Sequence, residues 1–379
     1  EEVAPRLAKR LRQYGFNCLR LHFMDFSWGG TSRESLWDDP AAGKLSERNL
    51  AKLDRLISEC AANGIYLNLN LHVGREYPGQ PEVAGSRAFQ YSKNLDRWHE
   101  PFVRQMEQFC RDLLNHVNPH TGRRYADEPA IACVEINNEN TMIRDDLADL
   151  RRLPEPFLEA LTQEWTTWLR ERHGTTAALA RAWNADVVPL GDEQLTNRDA
   201  WIVQNSGGAA STLQQEETRL TWTATASGSA SWNLQLQYKG LELPPGRYTL
   251  TFRARSRDSK RVGINLMLNA APWDNVGLSD TIALAPEWKT FTLSGPIKAA
   301  TAPGPLRLNI SLQNETGQVE FEDLSLRPGG GEGLTAGDSL EDGVGLPGTT
   351  AVAAVKLDWT RFLIDTEMAT TGRIVRLLK

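Results

Sequence analysis

The chain has 379 residues, 40% of them hydrophobic and 24% charged, with a formal net charge of −6. That length suits two or three domains and that composition a globular fold. The acidic balance excludes a basic nucleic-acid binder, and no apolar run reaches the ~20 residues of a membrane span, so neither nucleic acid nor membrane is an expected partner.

The chain opens in a charged helix, VAPRLAKRLRQYG, without the features of a signal peptide. Gly15 stops it, and residues 16–26, FNCLRLHFMDF, read as a strand. SERNLAKLDRLISECAANG has helical spacing, with Ser46 as a possible N-cap. Residues 65–73, IYLNLNLHV, alternate strictly and predict a second strand. A long helix over about 96–116 follows, then a third strand at 131–137, IACVEIN, and helices over 155–174 and 175–184. Strands alternating with helices predict a parallel sheet, and near-continuous apolar strands predict burial on both faces. Cys18, Cys60, Cys110 and Cys133 all lie in apolar runs and read as buried free thiols; no CxxC pair suggests a metal or redox site.

From residue 197 to about 328 helical periodicity gives way to short alternating runs separated by turn residues. That is the signature of a sandwich or jelly roll. The stretch PGGGEGLTAGDS then reads as a flexible linker, and residues 357–379 return to helical period. The fold class is therefore α/β plus all-β, with a β module inserted into an α/β domain. The expected divisions are 1–195, 196–329, 330–354 and 355–379.

The sharpest chemical signal is VEINNEN at residues 134–140. In parallel α/β folds chemistry gathers at the carboxyl ends of strands, where Glu139 stands behind Asn137 and Asn138. A glycosidase needs one carboxyl group to protonate the leaving oxygen and a second to attack the anomeric carbon or activate water. An amide beside the acid can hold a ring hydroxyl in the transition state. Glu135 alternates away from its neighbour Ile136 and reads as half of a structural ion pair.

GFNCLRLHFMDF, IYLNLNLH and NPHTGRRYADEPAIACVEINNEN together resemble the second, third and fourth strands of clan A glycoside hydrolases, especially family 5. The resemblance covers about residues 5–185 and 355–379. It implies the first half of a (β/α)8 TIM barrel, with Glu139 as acid/base, Asn138 as its amide partner, Arg20 paired with the nucleophile, and His72 lining a sugar subsite. His22, Asp25 and Asn137 are further candidates for site lining. The nucleophile of such enzymes is a Glu on the seventh strand, for which Glu367 in a helix is a poor candidate. The chain thus reads as a fragment that lacks its nucleophile, the remainder of the barrel coming from a longer chain. Secretion or a periplasmic location follows from the resemblance, and no organic cofactor is implied.

ASWNLQLQYKGLELPPGRYTLTFRARS, APWDNVGLSDTIAL and QVEFEDLSLRP resemble family 4/9-type carbohydrate-binding modules, which are jelly rolls. Candidate sugar contacts are Trp232, Gln235, Gln237, Arg253, Arg255, Trp273 and Gln313. Amides and guanidinium groups suit hydroxyls, and the two Gln, like the two Arg, share a strand face. Trp288 reads as core. Such folds sometimes hold a structural calcium, with Glu322 and Asp323 as candidate ligands. The expected activity is retaining hydrolysis of a β-linked poly- or oligosaccharide, β-glucan or β-mannan before β-galactoside. The alternative is a non-catalytic glycan-binding protein working through the sandwich.

Overall fold

The computed structural model describes residues 3–26, 35–37, 43–75, 77, 95–143, 150, 153–258 and 260–379. They form two compact units, Glu1–Trp168 with Asp358–Lys379, and Leu169–Leu357. Among the described residues no helix is long and apolar enough to cross a membrane.

The first unit is built on three parallel strands, β1 (Cys18–Leu21), β2 (Tyr66–Asn70) and β3 (Ile131–Glu135), in the order β1-β2-β3. Its helices are α1 (Val3–Gln13), α2 (Glu47–Ala62), α3 (Glu100–Asn115), α4 (Phe157–His173) and the C-terminal α6 (Ala353–Leu378). α2 starts where Ser46 Oγ accepts the Asn49 N–H, freeing its first turn from an unpaired donor. α3 starts at Glu100, later than the spacing predicts, because the chain first makes a short 3-10 turn at Leu95–Arg97 and Pro101 sets the first helical turn. Leu50, Leu53 and Ile57 of α2 and Phe102, Met106, Phe109 and Leu113 of α3 recur three or four apart and are buried. Leu67 and Leu69 of β2 complete that core.

The strands differ from expectation in two ways. They are shorter, and β1 ends at Leu21 as Phe23 turns the chain with φ of 58°. They are also two-faced. Leu21 pairs in register with Leu69 on the buried side, whereas Arg20 pairs with Asn68, and Asn68 with Cys133, on a side that carries polar groups. Cys18, Arg20 and Cys133 are exposed there, so two of the four thiols are not buried. Burial pushes the other two up, Cys60 to about 11 and Cys110 to about 12. The C-terminal α6 belongs to this unit: Trp359 and Phe362 pack against Trp165 of α4 at ring separations of 5.2 and 5.3 Å, and Arg373 binds Glu100 and Glu107 of α3.

The second unit holds α5 (Thr176–Asn184) and a nearly closed antiparallel sheet of ten strands. In chain order these are β4 (Trp201–Asn205), β5 (Ala210–Gln215), β6 (Arg219–Ala226), β7 (Leu234–Leu241), β8 (Gly246–Arg255), β9 (Lys260–Leu268), β10 (Asn275–Leu284), β11 (Lys289–Ile297), β12 (Leu306–Ser311) and β13 (Gly317–Pro328). The lateral order is β4-β7-β12-β9-β10-β11-β8-β13-β6-β5. Between β10 and β11 the register is the single pair Gly277↔Ile297, and a Cβ on Gly277 would meet Pro296 O at 2.5 Å. Apolar residues of both halves, among them Trp222, Leu236, Phe252, Ile264, Leu308 and Phe321, meet in one core. β4, β5 and β10 were not separated by the sequence pattern. β5 (ASTLQQ) is almost wholly polar, and bulges around Gly277 break the alternation of β10.

The sandwich enters and leaves at one place. Gly191 N donates to Pro328 O at 2.9 Å, and Val188 bridges Gly330. The glycine-rich stretch after β13 is not a free linker. Glu332 bridges Ala351, Leu340 and Val352 are buried, and a Cβ on Gly330 (φ 90°) would sit 2.0 Å from Thr249 Oγ1. Glycine stands here because another strand passes too close for any side chain.

Candidate functional site

Residues 136–143 leave β3 as a loop fixed at several points. Asn138 N–H donates to His72 O at 2.8 Å, joining the loop to the chain that follows β2. The Asn138 side-chain oxygen accepts from Arg20 Nη2 at 3.0 Å. Asn140 is buried and donates to Asp96 Oδ1 at 2.9 Å. Glu367 of α6 accepts from Thr141 Oγ1 at 2.7 Å and Met142 N–H at 3.2 Å. Between these anchors Glu139 is exposed and adopts φ of 51°, a left-handed conformation few side chains take. Asn137 is half-buried just before it.

Arg20 reaches this loop from β1, and the carboxylate it meets among the described residues is Glu135. Its Nε and Nη2 clasp the two Glu135 oxygens at 2.7 and 2.5 Å, while Asn68 adds a third contact at 3.3 Å. The Arg20 hydrogen bonds hold Glu135 below the usual carboxylate range. Arg20, Glu135 and Asn138 therefore form one cluster at the carboxyl end of the sheet, and the ion pair read for Glu135 is the one Arg20 makes.

His72 does not line a surface. It is 0% exposed, with Nδ1 3.0 Å from Asp25 Oδ2 and Nε2 3.4 Å from Asp96 Oδ2. Asp25 also accepts the Val73 N–H at 3.1 Å, and Arg75 lies 3.7 Å from it. Asp96 accepts from Tyr77 Oη at 2.8 Å and from Arg97 Nε at 3.2 Å. Burial opposes ionisation of both carboxylates. The imidazole and guanidinium neighbours outweigh it and leave both below their ordinary values. The Arg75 guanidinium lies 3.7 Å from the Phe109 ring centre. His72 and Asp25 thus act beneath the loop, through the His72 carbonyl, and Asp96 acts through Asn140. His22 is half-buried, its ring edge-on to Phe23 at 4.3 Å.

A second polar cluster lies on the sandwich. Outward-facing positions of β7, β12 and β9 line up across the sheet: Gln237 opposite Asn309, and Asn309 opposite Asn265. Outward residues of such a sheet are normally wet, yet Gln235, Gln237 and Asn309 are buried. Gln237 donates to Gln235 Oε1 at 2.6 Å and to Gln204 Oε1 at 2.9 Å, while Asn309 donates to Asn265 Oδ1 at 3.2 Å. Gln237 Oε1 and Asn309 Oδ1 have no partner. Trp232 and Trp273 flank this floor with 65% and 51% of their surface exposed. Gln313 is exposed at its end, where its amide lies 3.5 Å from Thr281 Oγ1.

Arg253 and Arg255 are not part of that floor. They lie on β8, in the other half of the sheet, where Arg253 binds Glu322 at 3.1 Å and Arg255 binds Glu320 at 2.6 Å. Both guanidinium groups and that of Arg219 lie over Trp288, 4.7–5.5 Å from the ring centre, so Trp288 is half-buried cover rather than core. Glu322, the calcium candidate, is taken by Arg219 and Arg253. Among the described residues no group of three acidic, His or Cys side chains is placed to hold a metal.

Residues 39–188 match the family model of glycoside hydrolase family 42, described as beta-galactosidase. The matched stretch spans α2 to α5, with β2, β3, Asn138 and Glu139 inside it. It is similar to a glycoside hydrolase of clan A, the clan expected, and the model that matches is that of family 42. No curated protein matches the chain. Among solved structures a CBM4 structure aligns at 20% identity over 38% of this chain and 97% of its own, with a TM-score of 0.32. The N-terminal cellulose-binding domain of Cellulomonas fimi beta-1,4-glucanase C aligns at 19% identity over 37% and 97%, with a TM-score of 0.29. The CBM22-1 xylan-binding domain of Paenibacillus barcinonensis Xyn10C aligns at 9% identity over 38% and 99%, with a TM-score of 0.27.

Proposed function

We propose that the first unit is part of a clan A (β/α)8 barrel that cleaves β-glycosidic bonds with retention, with Glu139 as acid/base. The observation that carries this reading is the loop after β3, where Glu139 is held out at φ 51° between the anchored Asn138 and Asn140. Such a carboxyl group can protonate a leaving oxygen while the Asn138 side chain, oriented by Arg20, meets the sugar beside it. Double displacement needs a second carboxylate about 5 Å away. Glu135 is committed to Arg20 and Glu367 to the loop backbone, so neither is assigned that role. We put β-galactosides first among substrates, ahead of the β-glucan and β-mannan suggested by the sequence, with the family match as support. A secreted or periplasmic setting suits polymeric substrates.

In this reading the sandwich binds the glycan. The support is its outward floor of buried amides, two of them with unpaired oxygens, set between two exposed indoles. Indole faces stack on sugar rings and unpaired amides await hydroxyls. That floor alone also supports the second reading, a glycan-binding protein without catalysis.

The leaving-group dependence of hydrolysis separates the two. Glu139→Gln, in a protein containing these residues, is expected to slow cleavage of methyl β-galactoside by about 10²-fold or more. Cleavage of a dinitrophenyl β-galactoside, whose leaving group needs no proton, should fall far less. Equal losses on both substrates would remove Glu139 from the acid role. Absence of hydrolysis of any β-glycoside by the unsubstituted protein would favour the second reading.

A further inference from the structure

The sandwich floor contains a cation with no carboxylate beside it among the described residues. Arg307 of β12 points outward beside Gln235 and is only 4% exposed. Its contacts are neutral and long: Asn269 Oδ1 at 3.4 Å, Gln235 Oε1 at 3.3 Å and Met267 Sδ at 3.4 Å. Its Nε has no partner. It forms no ion pair with any described carboxylate, and burial, unopposed by any neighbouring charge, pushes its pKa down. The other buried arginines among the described residues, Arg75 and Arg97, each lie within 4 Å of an aspartate. The residue paired in register with Arg307 on β7 is Lys239, half-buried and likewise without an ion pair among the described residues. Two like charges directly opposite on one sheet face destabilise it, and a buried unpaired cation costs more still.

The nearest feature beyond the floor is Trp273, whose ring centre lies 5.1 Å from the Arg307 guanidinium. The tryptophan is exposed, so a sugar ring stacked on it would bring its substituents toward Arg307. A planar guanidinium with a free Nε matches a carboxylate bidentately, which neutral hydroxyls match only singly. We propose that the glycan held by this face is acidic, and that Arg307, seconded by Lys239, takes the carboxylate of a uronate residue. This rests on the glycan-binding reading of the sandwich and narrows its ligand class. With a net charge of −6 the chain would otherwise repel a polyanion, so such binding requires a local site.

The test is affinity electrophoresis of the whole 379-residue chain through gels of polygalacturonate, alginate and glucuronoxylan, each beside its carboxyl-reduced counterpart, with neutral galactan and β-glucan alongside. At least one acidic polymer should retard the chain, and its reduced form at least tenfold less. Arg307→Met should abolish that difference while leaving the thermal midpoint unchanged or raised, because an unpaired buried cation has been removed. Lys239→Gln, at a half-buried position, should weaken retardation about threefold with the fold intact. If neutral or carboxyl-reduced glycans bind as tightly as acidic ones, the uronate assignment fails while the glycan-binding reading stands. If Arg307→Met binds the acidic polymer as the parent does, the assignment fails. If no glycan binds, both fail.

Discussion

In the parallel-sheet unit His72, Asp25, Asp96, Arg75 and Arg97 are all shut off from water, and each carboxylate faces a guanidinium or an imidazole. On the sandwich face Gln237, Asn309 and Arg307 are shut off as completely, yet Arg307 faces no carboxylate among the described residues. The first arrangement balances its charges, although His72 Nε2, Arg75 Nε and Nη1, Arg97 Nη1 and Asn140 Oδ1 have no hydrogen-bond partner among the described residues, and its product is a positioned loop. The second contains no counter-charge for Arg307 among the described residues, and that is what an acidic ligand would bring. Burial of polar groups therefore has opposite meanings in the two units. Balanced charge marks support, and an unbalanced cation beside an exposed indole marks a surface prepared for recognition.

Breaking the closed arrangement should cost most. Asp96→Ala leaves Arg97 without its paired carboxylate, removes one of the two that His72 faces and frees Asn140, and an unfolding loss of about 3–5 kcal/mol is expected in denaturant titrations that follow the first unit. A loss under 1 kcal/mol would show the network to be dispensable. The same network sets an acid limit. Asp25 and Asp96 have folded values below their ordinary 3.8, so their contribution is fully present above about pH 4 and is lost as pH falls through the folded values. Thermal midpoints of the first unit should drop below pH 4, and a flat profile there would contradict the assignment.

Gly330→Ala tests whether the glycine-rich stretch is structural. With φ of 90° and a Cβ 2.0 Å from Thr249 Oγ1, it should lose about 2–3 kcal/mol in the second unit, where a flexible linker would lose nothing. Glu135→Gln breaks a partly exposed pair and should cost about 1 kcal/mol or less in stability, because solvent already screens it. Its larger effect should be on the orientation of Asn138, read as a rise in KM for aryl glycosides. Gln237→Leu sharpens the contrast from the open side. Stability should change by about 1 kcal/mol or less, since an unpaired oxygen disappears with the amide, while retardation by the bound glycan falls about tenfold. A large loss of stability without loss of binding would place Gln237 with the closed kind of network.

The sequence made Glu139, Asn138 and Arg20 visible because strand ends can be read from alternation, and strand ends carry chemistry in parallel sheets. It could not reveal that Arg20 meets Glu135, since that pairing joins residues 115 apart in sequence through the register of three strands. His72 was misplaced for a related reason. Alternation in IYLNLNLH tells which residues share a face, whereas its burial comes from Asp25 and Asp96 in separate loops. Asp96 looked like the start of a helix and sits instead in a buried 3-10 turn. The same limit separated Gln235 and Gln237 from Arg253 and Arg255. Each pair shares a strand face, but only the lateral strand order puts them in different halves of the sheet. Arg307 and Asn309 alternate in LRLNIS as clearly as the glutamines do, and that pattern could have named them. The glycine-rich stretch misled because composition reports freedom of the backbone and not the close approach that freedom permits.

The role of Glu139 is tested most directly by Glu139→Gly, in a protein that contains these residues together with the rest of the barrel, with dinitrophenyl β-galactoside in the presence of azide. Once the carboxyl group is gone, azide should enter beside the sugar, restore turnover and yield the β-galactosyl azide, the product of a retaining enzyme that has lost its acid/base and kept its nucleophile. Turnover of the variant that equals the parent and ignores azide, or an α-galactosyl azide as product, would contradict the assignment.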